Sequence, residues 1–258
     1  MKKGVFLIVF SFLFISLNAQ SVSDFEINAN DDNSITILNY KGMLREIVIP
    51  EKIFNMPVTR LRDGAFREKN LTSVVIPPSI TLIGDYTFSG NQLTSITIPE
   101  SVEFIGNGAF SNNRFTSITI PGRVVIIGDS AFSSNQLTSI IIPNSVKYIG
   151  SSAFNGNPLT SITLGNNILY IGNSAFYNHR ANSIIIPDSV VYIGSSAFYS
   201  YYNASLSSIT IGKYVMLGYF NDWGERNNAF GAFDNIYQNN DRRAGRYVFA
   251  NNAWSFTP

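Results

Sequence analysis

The side chains able to carry acid–base, nucleophilic or metal chemistry are few in this chain of 258 residues, and their spacing assembles no reaction centre. With no cysteine, thiolate nucleophiles, thiolate metal ligands and disulfides are excluded. His179 is the only histidine, and no Ser–Asp arrangement stands out near it beyond the serines of a repeat, so a nucleophilic triad is not indicated. Glu100 and Glu103 are close in sequence, but a solvated acidic patch explains them without the divergent pKa values that paired catalytic carboxylates need. Asp31-Asp32-Asn33 and Asp222 with Glu225 offer the oxygen ligands of Ca²⁺ without the spacing of a calcium loop, and read better as turn chemistry. Arg242, Arg243 and Arg246 read as solvated cap surface. No catalytic residue, cofactor or metal site is assigned. What remains is aromatic. Leu82, Phe104, Ile126, Tyr148, Tyr170 and Tyr192 recur at one spacing, and Tyr177, Tyr199, Tyr201, Tyr202 and Tyr214 crowd the same carboxy-terminal half. Tyrosine is enriched at interfaces, so Phe104, Tyr148, Tyr170, Tyr192, Tyr177 and Tyr199 form the candidate binding surface. The competing reading is structural, because apolar residues in register on adjacent strands stabilise each other without a ligand.

The elements that position these rings follow from phenylalanine, which returns every 22 residues at Phe66, Phe88, Phe110, Phe132, Phe154, Phe176 and Phe198. A residue held at fixed spacing through seven copies is the mark of a solenoid, in which each coil buries its apolar face only against its neighbours. Each copy opens on a segment such as Leu93-Thr94-Ser95-Ile96-Thr97-Ile98, whose alternation predicts a short parallel strand ended by Pro99. Ile96 and Ile98 are expected to face inward with Leu93, leaving Thr97 outward in a row with Val75, Thr119, Ile141, Thr163, Ile185 and Thr210. Val102 and Ile105 form a second apolar pair, Gly106 permits a tight bend, and a short helical turn is expected before Ala109-Phe110. Asn91, Asn113, Asn135 and Asn157 share one corner, where an amide both donates to and accepts from the turn backbone, and His179 takes that corner in a later coil. An insertion at Tyr201-Tyr202-Asn203 precedes an atypical copy beginning at Leu206.

Residues 1–19 read as a signal peptide: Lys2 and Lys3, an apolar run from Val5 to Ile15, and a polar exit ending at Ala19. That run is shorter than the roughly 20 apolar residues of a spanning helix, and no later segment approaches that length, so the mature chain is expected to carry no transmembrane segment. Loss of Lys2 and Lys3 moves the formal charge from +1 to −1, which makes nucleic acid an unsuitable partner. The expected division is 1–19 signal peptide, 20–43 amino-terminal cap, 44–205 solenoid, and 206–258 last repeat with carboxy-terminal cap. Phe230, Phe233, Tyr237, Tyr247 and Trp254 are the cap's expected cover. Caps are required because stacked strands leave unpaired backbone at both ends.

The pattern L-T-S-I-T-I-P-x-S-V-x-x-I-G-x-x-A-F, repeated from Leu44 to Phe198, resembles the BspA-like leucine-rich repeats of bacterial surface and secreted proteins. Ser34 to Gly42 resembles that family's opening repeat, and Ala244-Gly245-Arg246-Tyr247 with Trp254 resembles its closing segment. The resemblance implies a right-handed leucine-rich-repeat solenoid of short parallel strands, tight turns and short helical turns. It further implies a non-enzymatic secreted or cell-surface protein, with periplasmic residence as the alternative. Its partner would be an extracellular protein or a matrix or cell-surface macromolecule, in adhesion. A carbohydrate-binding module using the tyrosine ladder is the alternative function.

Overall fold

The computed structural model describes residues 21–200, 206–218, 237, 242–250 and 253–257. The signal-peptide segment, Tyr201, Tyr202, Asn203, Asp222, Glu225, Phe230, Phe233 and the side chain of Trp254 lie outside the described residues.

The chain winds as a β-solenoid with two rows of strands. The longer row is made by the two residues before each repeat glycine: Leu82–Ile83, Phe104–Ile105, Ile126–Ile127, Tyr148–Ile149, Tyr170–Ile171, Tyr192–Ile193 and Met216–Leu217. These pair in parallel, each residue opposite its equivalent one coil on. They continue a sheet that begins with the antiparallel strands Phe25–Ala29 and Ile35–Tyr40 and passes through Met56–Leu61. The second row, formed by the Ser-Ile-Thr segments, is discontinuous: Glu46–Val48 pairs with Ser73–Val75, Ser139–Ile141 with Ser161–Thr163, and Ser183–Ile185 with Ser208–Ile211. Gly245–Ala250 and Ala253–Thr257 add antiparallel to the last of these. Residues 95–97 and 117–119 carry Ser-Ile-Thr yet form no strand. The segment expected to be the principal strand is therefore the weaker of the two. In most coils a proline follows it and cannot donate to a ladder, whereas the glycine after the other pair extends the ladder, as in Gly128 N–H to Ile105 O (2.9 Å) and Gly150 N–H to Ile127 O (2.8 Å).

Between the rows lies the core. Phe66 to Phe198 are all buried, and consecutive rings stack with centroids 5.2, 5.5, 5.3, 5.3, 5.2 and 5.1 Å apart. Tyr40 carries the stack one step toward the amino terminus, 5.9 Å from Phe66. At the Asn corner the expected amide ladder is present: Asn91 Nδ2 donates to Phe66 O (2.8 Å) and Phe88 O (3.0 Å), and its Oδ1 accepts from Leu71 N (2.9 Å). Asn113, Asn135 and Asn157 repeat the pattern.

The turns correct two expectations. In the repeats the residues after each glycine form tight turns and not helical ones, because their amides are spent laterally: Phe110 N–H donates to Ala131 O and Phe132 N–H to Ala153 O, both at 2.8 Å. The glycine itself does not supply the left-handed bend. That conformation falls two residues later, on Tyr86, Gly108, Ser130, Ser152, Ser174 and Ser196, with φ between 54° and 57°. The glycine is needed for proximity: a Cβ on Gly150 would lie 2.5 Å from Asp129 N and 2.6 Å from Gly128 C of the preceding coil. This close approach serves a second side-chain ladder, in which Asp63, Asp85, Asn107, Asp129 and Asn173 each accept through Oδ1 from the backbone N–H at the equivalent position plus 22.

Candidate functional site

On a strand, alternate residues face opposite sides; Ile149, Ile171 and Ile193 enter the core, so their neighbours Tyr148, Tyr170 and Tyr192 face out. Tyr148 retains 44% and Tyr170 39% of its accessible surface, while Tyr192 and Phe104 are half-buried. The row is in strict register, and the rings of Tyr170 and Tyr192 stack at 4.8 Å with planes 11° apart. Burial, then the neighbouring Tyr192 and Asp129, push the Tyr170 phenol above its ordinary pKa, so it remains a neutral donor near neutral pH. Val125, Leu169 and Val191, immediately before members of the row, are exposed and widen it with apolar surface that the sequence reading did not include, interrupted by exposed Lys147 between Val125 and Leu169. Their signal was present in the paired apolar residues of Val125-Ile126, Leu169-Tyr170 and Val191-Tyr192. Tyr177 and Tyr199 lie one turn further along their coils, half-buried, and make a stack of their own at 5.7 Å. The structure thus separates the six candidate residues into a strand row and a turn pair.

The second outward row is exposed at Val75, Thr97, Thr119, Ile141, Thr163 and Ile185 and supplies only methyl and hydroxyl groups. Glu100 and Glu103 are each engaged by the next coil, Glu100 Oε2 accepting from Gly122 N (3.2 Å) and Glu103 from Arg123. Asp32 accepts from the backbone and hydroxyl of Ser34 and from Arg60 (2.8 Å), contacts that hold its carboxyl below the usual carboxylate range. That is turn chemistry. Among the described residues no group of three or more His, Asp or Glu side chains converges in a way that could hold a metal ion, and no helix is long and apolar enough to cross a membrane.

His179 occupies the Asn corner but bonds differently. Its Nδ1 accepts from Ala181 N–H (3.0 Å), which places the proton on Nε2 for donation to Phe198 O (2.9 Å) in the next coil, whereas the asparagines bond to the preceding one. Burial lowers its pKa below 6.5, and the hydrogen bond to Phe198 O opposes this only in part. The neutral form is therefore the one the fold stabilises. Since the unfolded chain binds the proton more readily, this stability is complete above about pH 6.5 and falls as pH drops through the folded value, by at most about 1.4 kcal/mol per pH unit. Thermal unfolding between pH 7.5 and pH 5 is expected to show a larger loss for the native chain than for His179→Asn; superimposable profiles would refute this role.

Compared with known proteins, a model of the BspA type leucine rich repeat region matches residues 59–180 and 125–220, in 6 copies. No curated protein matches. Among solved structures, a leucine rich cell surface protein from Faecalibacterium prausnitzii is 28% identical, with a TM-score of 0.64 over 74% of this chain and 54% of that one. A leucine rich repeat protein from T. pallidum is 25% identical, with a TM-score of 0.58 over 68% of this chain and 84% of that one. The present chain thus spans about half the length of the F. prausnitzii protein. With the repeat model covering well over half the sequence and the same coil seen in both solved structures, the chain belongs to the BspA-type leucine-rich-repeat family.

Proposed function

We propose that this chain is a non-enzymatic, secreted or surface-displayed repeat protein that binds an extracellular protein or matrix macromolecule, in adhesion. The row of Phe104, Tyr148, Tyr170 and Tyr192 is the contact face, and Tyr177 and Tyr199 lie at its border. Residues 20–43 and 206–258 close the two ends of the stack. The observation that carries this reading is the half-exposed tyrosine row flanked by exposed Val125, Leu169 and Val191. Lys147 stands between Val125 and Leu169 in that flank, and an aromatic and aliphatic surface with an interspersed charge on a rigid scaffold is characteristic of an interaction site. The description of the F. prausnitzii relative as a cell surface protein supports the location.

The ring geometry favours protein over glycan. Tyr170 and Tyr192 cover each other's faces at 4.8 Å, so they present edges and hydroxyls, while a pyranose stacking platform needs an open face. Binding of the secreted form to immobilised matrix proteins and to a glycan array separates the two. Saturable protein binding is expected; binding to glycans alone that vanishes when Tyr148, Tyr170 and Tyr192 are changed to Ser would replace this reading with the carbohydrate one.

A further inference from the structure

A second site lies on the other outward face, between the strands Ser161–Thr163 and Ser183–Ile185. An open cleft of about 370 Å³ is lined there by Thr160, Ser161, Thr163, Asn166, Asn182 and Ser183, with Leu164, Ile185 and Pro187 as its apolar surface. Three features distinguish it. First, the repeat departs from its commoner pattern at this place: Leu164-Gly165-Asn166-Asn167 stands where the four preceding coils, from Ile76 to Ser145, have Ile-Pro-x-Ser or Ile-Pro-x-Arg, and Ala181-Asn182 stands where the coils from Leu71 to Thr160 have Leu-Thr or Phe-Thr; the last coil shares the glycine alone, in Ile211-Gly212-Lys213-Tyr214. Second, these departures draw the coil toward its predecessor. A Cβ on Gly165 would lie 2.5 Å from Pro143 O, Asn166 N–H donates to Asn144 Oδ1, and Asn167 Nδ2 donates to Asn144 O, both at 2.8 Å. Third, the ladder to the following coil is missing. Ile142 N–H donates to Thr163 O at 2.9 Å, but the equivalent Leu164 N–H and Ile185 O are not joined, nor are Ser183 N–H and Thr160 O. Strand pairing also lapses at residues 95–97 and 117–119; here the gap is lined by the carboxamides of Asn166 and Asn182.

We propose that this cleft binds a neutral saccharide unit. No charged side chain lines it, which argues against an ionic ligand. Hydroxyls, two carboxamides and unjoined backbone groups offer donors and acceptors together, matching the dual character of sugar hydroxyls. Ile185 and Pro187 suit the C–H face of a pyranose. The volume falls at the lower end of the range of small-ligand sites, about 300–1,000 Å³. An inserted peptide strand fits less well: Cα atoms of the two strands approach within 8 Å, and a strand between them needs about 9.6 Å, twice the usual spacing.

The site is independent of the tyrosine row, and the test keeps the two apart. The ¹⁵N-labelled secreted form is titrated separately with glucose, galactose, mannose, N-acetylglucosamine and triglycine. At least one sugar is expected to give saturable shifts at the amides of Leu164, Ser183 and Ile185. Asn166→Ala with Asn182→Ala is expected to weaken that binding about tenfold, as loss of two hydrogen bonds would. Its thermal midpoint should not change, since both side chains are exposed, and the Tyr148, Tyr170, Tyr192 to Ser variant should bind the sugar as the native chain does. The proposal is overturned by an absence of saturable shifts at these amides with all four sugars, by shifts that survive the double Asn variant, or by shifts with triglycine alone.

Discussion

Replacing Gly150 by alanine is expected to destabilise the solenoid by more than about 3 kcal/mol, beyond the upper end of ordinary overpacking. Adding one methyl has so large an effect because of what it meets. The new Cβ would sit 2.5 Å from both Asp129 N and Asp129 Oδ1 and 2.6 Å from Gly128 C. Those backbone atoms cannot rotate away as a side chain would, so the coils must separate. Separation would also break Gly150 N–H to Ile127 O (2.8 Å) and Ser151 N–H to Asp129 Oδ1 (2.6 Å), spreading the damage to both ladders at that edge. Gly122 is the control: its nearest neighbour to an added Cβ is Glu100 Oε2 at 4.0 Å, and its φ is not left-handed. Gly122→Ala should change stability by less than about 0.5 kcal/mol, the usual limit for an innocuous surface substitution. Denaturant melts of the two variants give the comparison, and equal losses would show that the close approach of Gly150 to the preceding coil carries no special cost.

Phe132→Ala is expected to cost roughly 3–5 kcal/mol, the range for truncating a buried aromatic ring. Phe132 is fully buried at the middle of the stack and contacts rings on both sides, Phe110 at 5.3 Å and Phe154 at 5.3 Å. Each such pair adds about 0.5–1.5 kcal/mol beyond area burial. In a chain of this size the midpoint should fall by roughly 6–20 °C. Because stability in a repeat array is the sum of local coils and their interfaces, loss of a central ring also divides the stack. Its removal should broaden the unfolding transition. A midpoint within a degree or so of the native one would mean that the ring spine is dispensable.

The sequence made the stack legible because phenylalanine from Phe66 to Phe198, glycine from Gly84 to Gly194 and asparagine from Asn91 to Asn157 recur at fixed offsets, and a single period reveals all three rows. The sequence left open whether Tyr148, Tyr170 and Tyr192 face solvent, because it showed no strand there; the outward orientation follows from the observed strands, in which they alternate with buried Ile149, Ile171 and Ile193. What alternation does not show is which segment propagates hydrogen bonds. Ser-Ile-Thr offers the longer alternating run, yet it pairs only in places, residues 95–97 and 117–119 forming no strand, whereas the two residues before each glycine pair without a break from Leu82–Ile83 to Met216–Leu217. The role of the repeat glycine was also hidden. Tightness in sequence looks the same whether glycine supplies a left-handed φ or room for a neighbour 22 residues away, and only the structure puts the bend on Ser130 and the contact on Gly150. The Asp and Asn ladder after the glycine left a trace in the recurring Gly-Asp, Gly-Asn and Gly-Ser pairs. At the binding face, the tyrosines stood out by type. Val125, Leu169 and Val191 did not, since consecutive apolar residues ordinarily alternate between core and solvent and here the first two of each trio face out.

The tyrosine face is tested most directly by measuring, on biosensor surfaces carrying matrix proteins, the affinity of the native chain and of the Tyr148→Ser, Tyr170→Ser, Tyr192→Ser triple variant. Their melting curves serve as the fold control. A loss of at least about tenfold is expected at unchanged fold, since removing aromatic anchors from an interface commonly costs more than 1.4 kcal/mol. Equal affinity of the two proteins, with the fold intact, would contradict the assignment of this row as the contact surface.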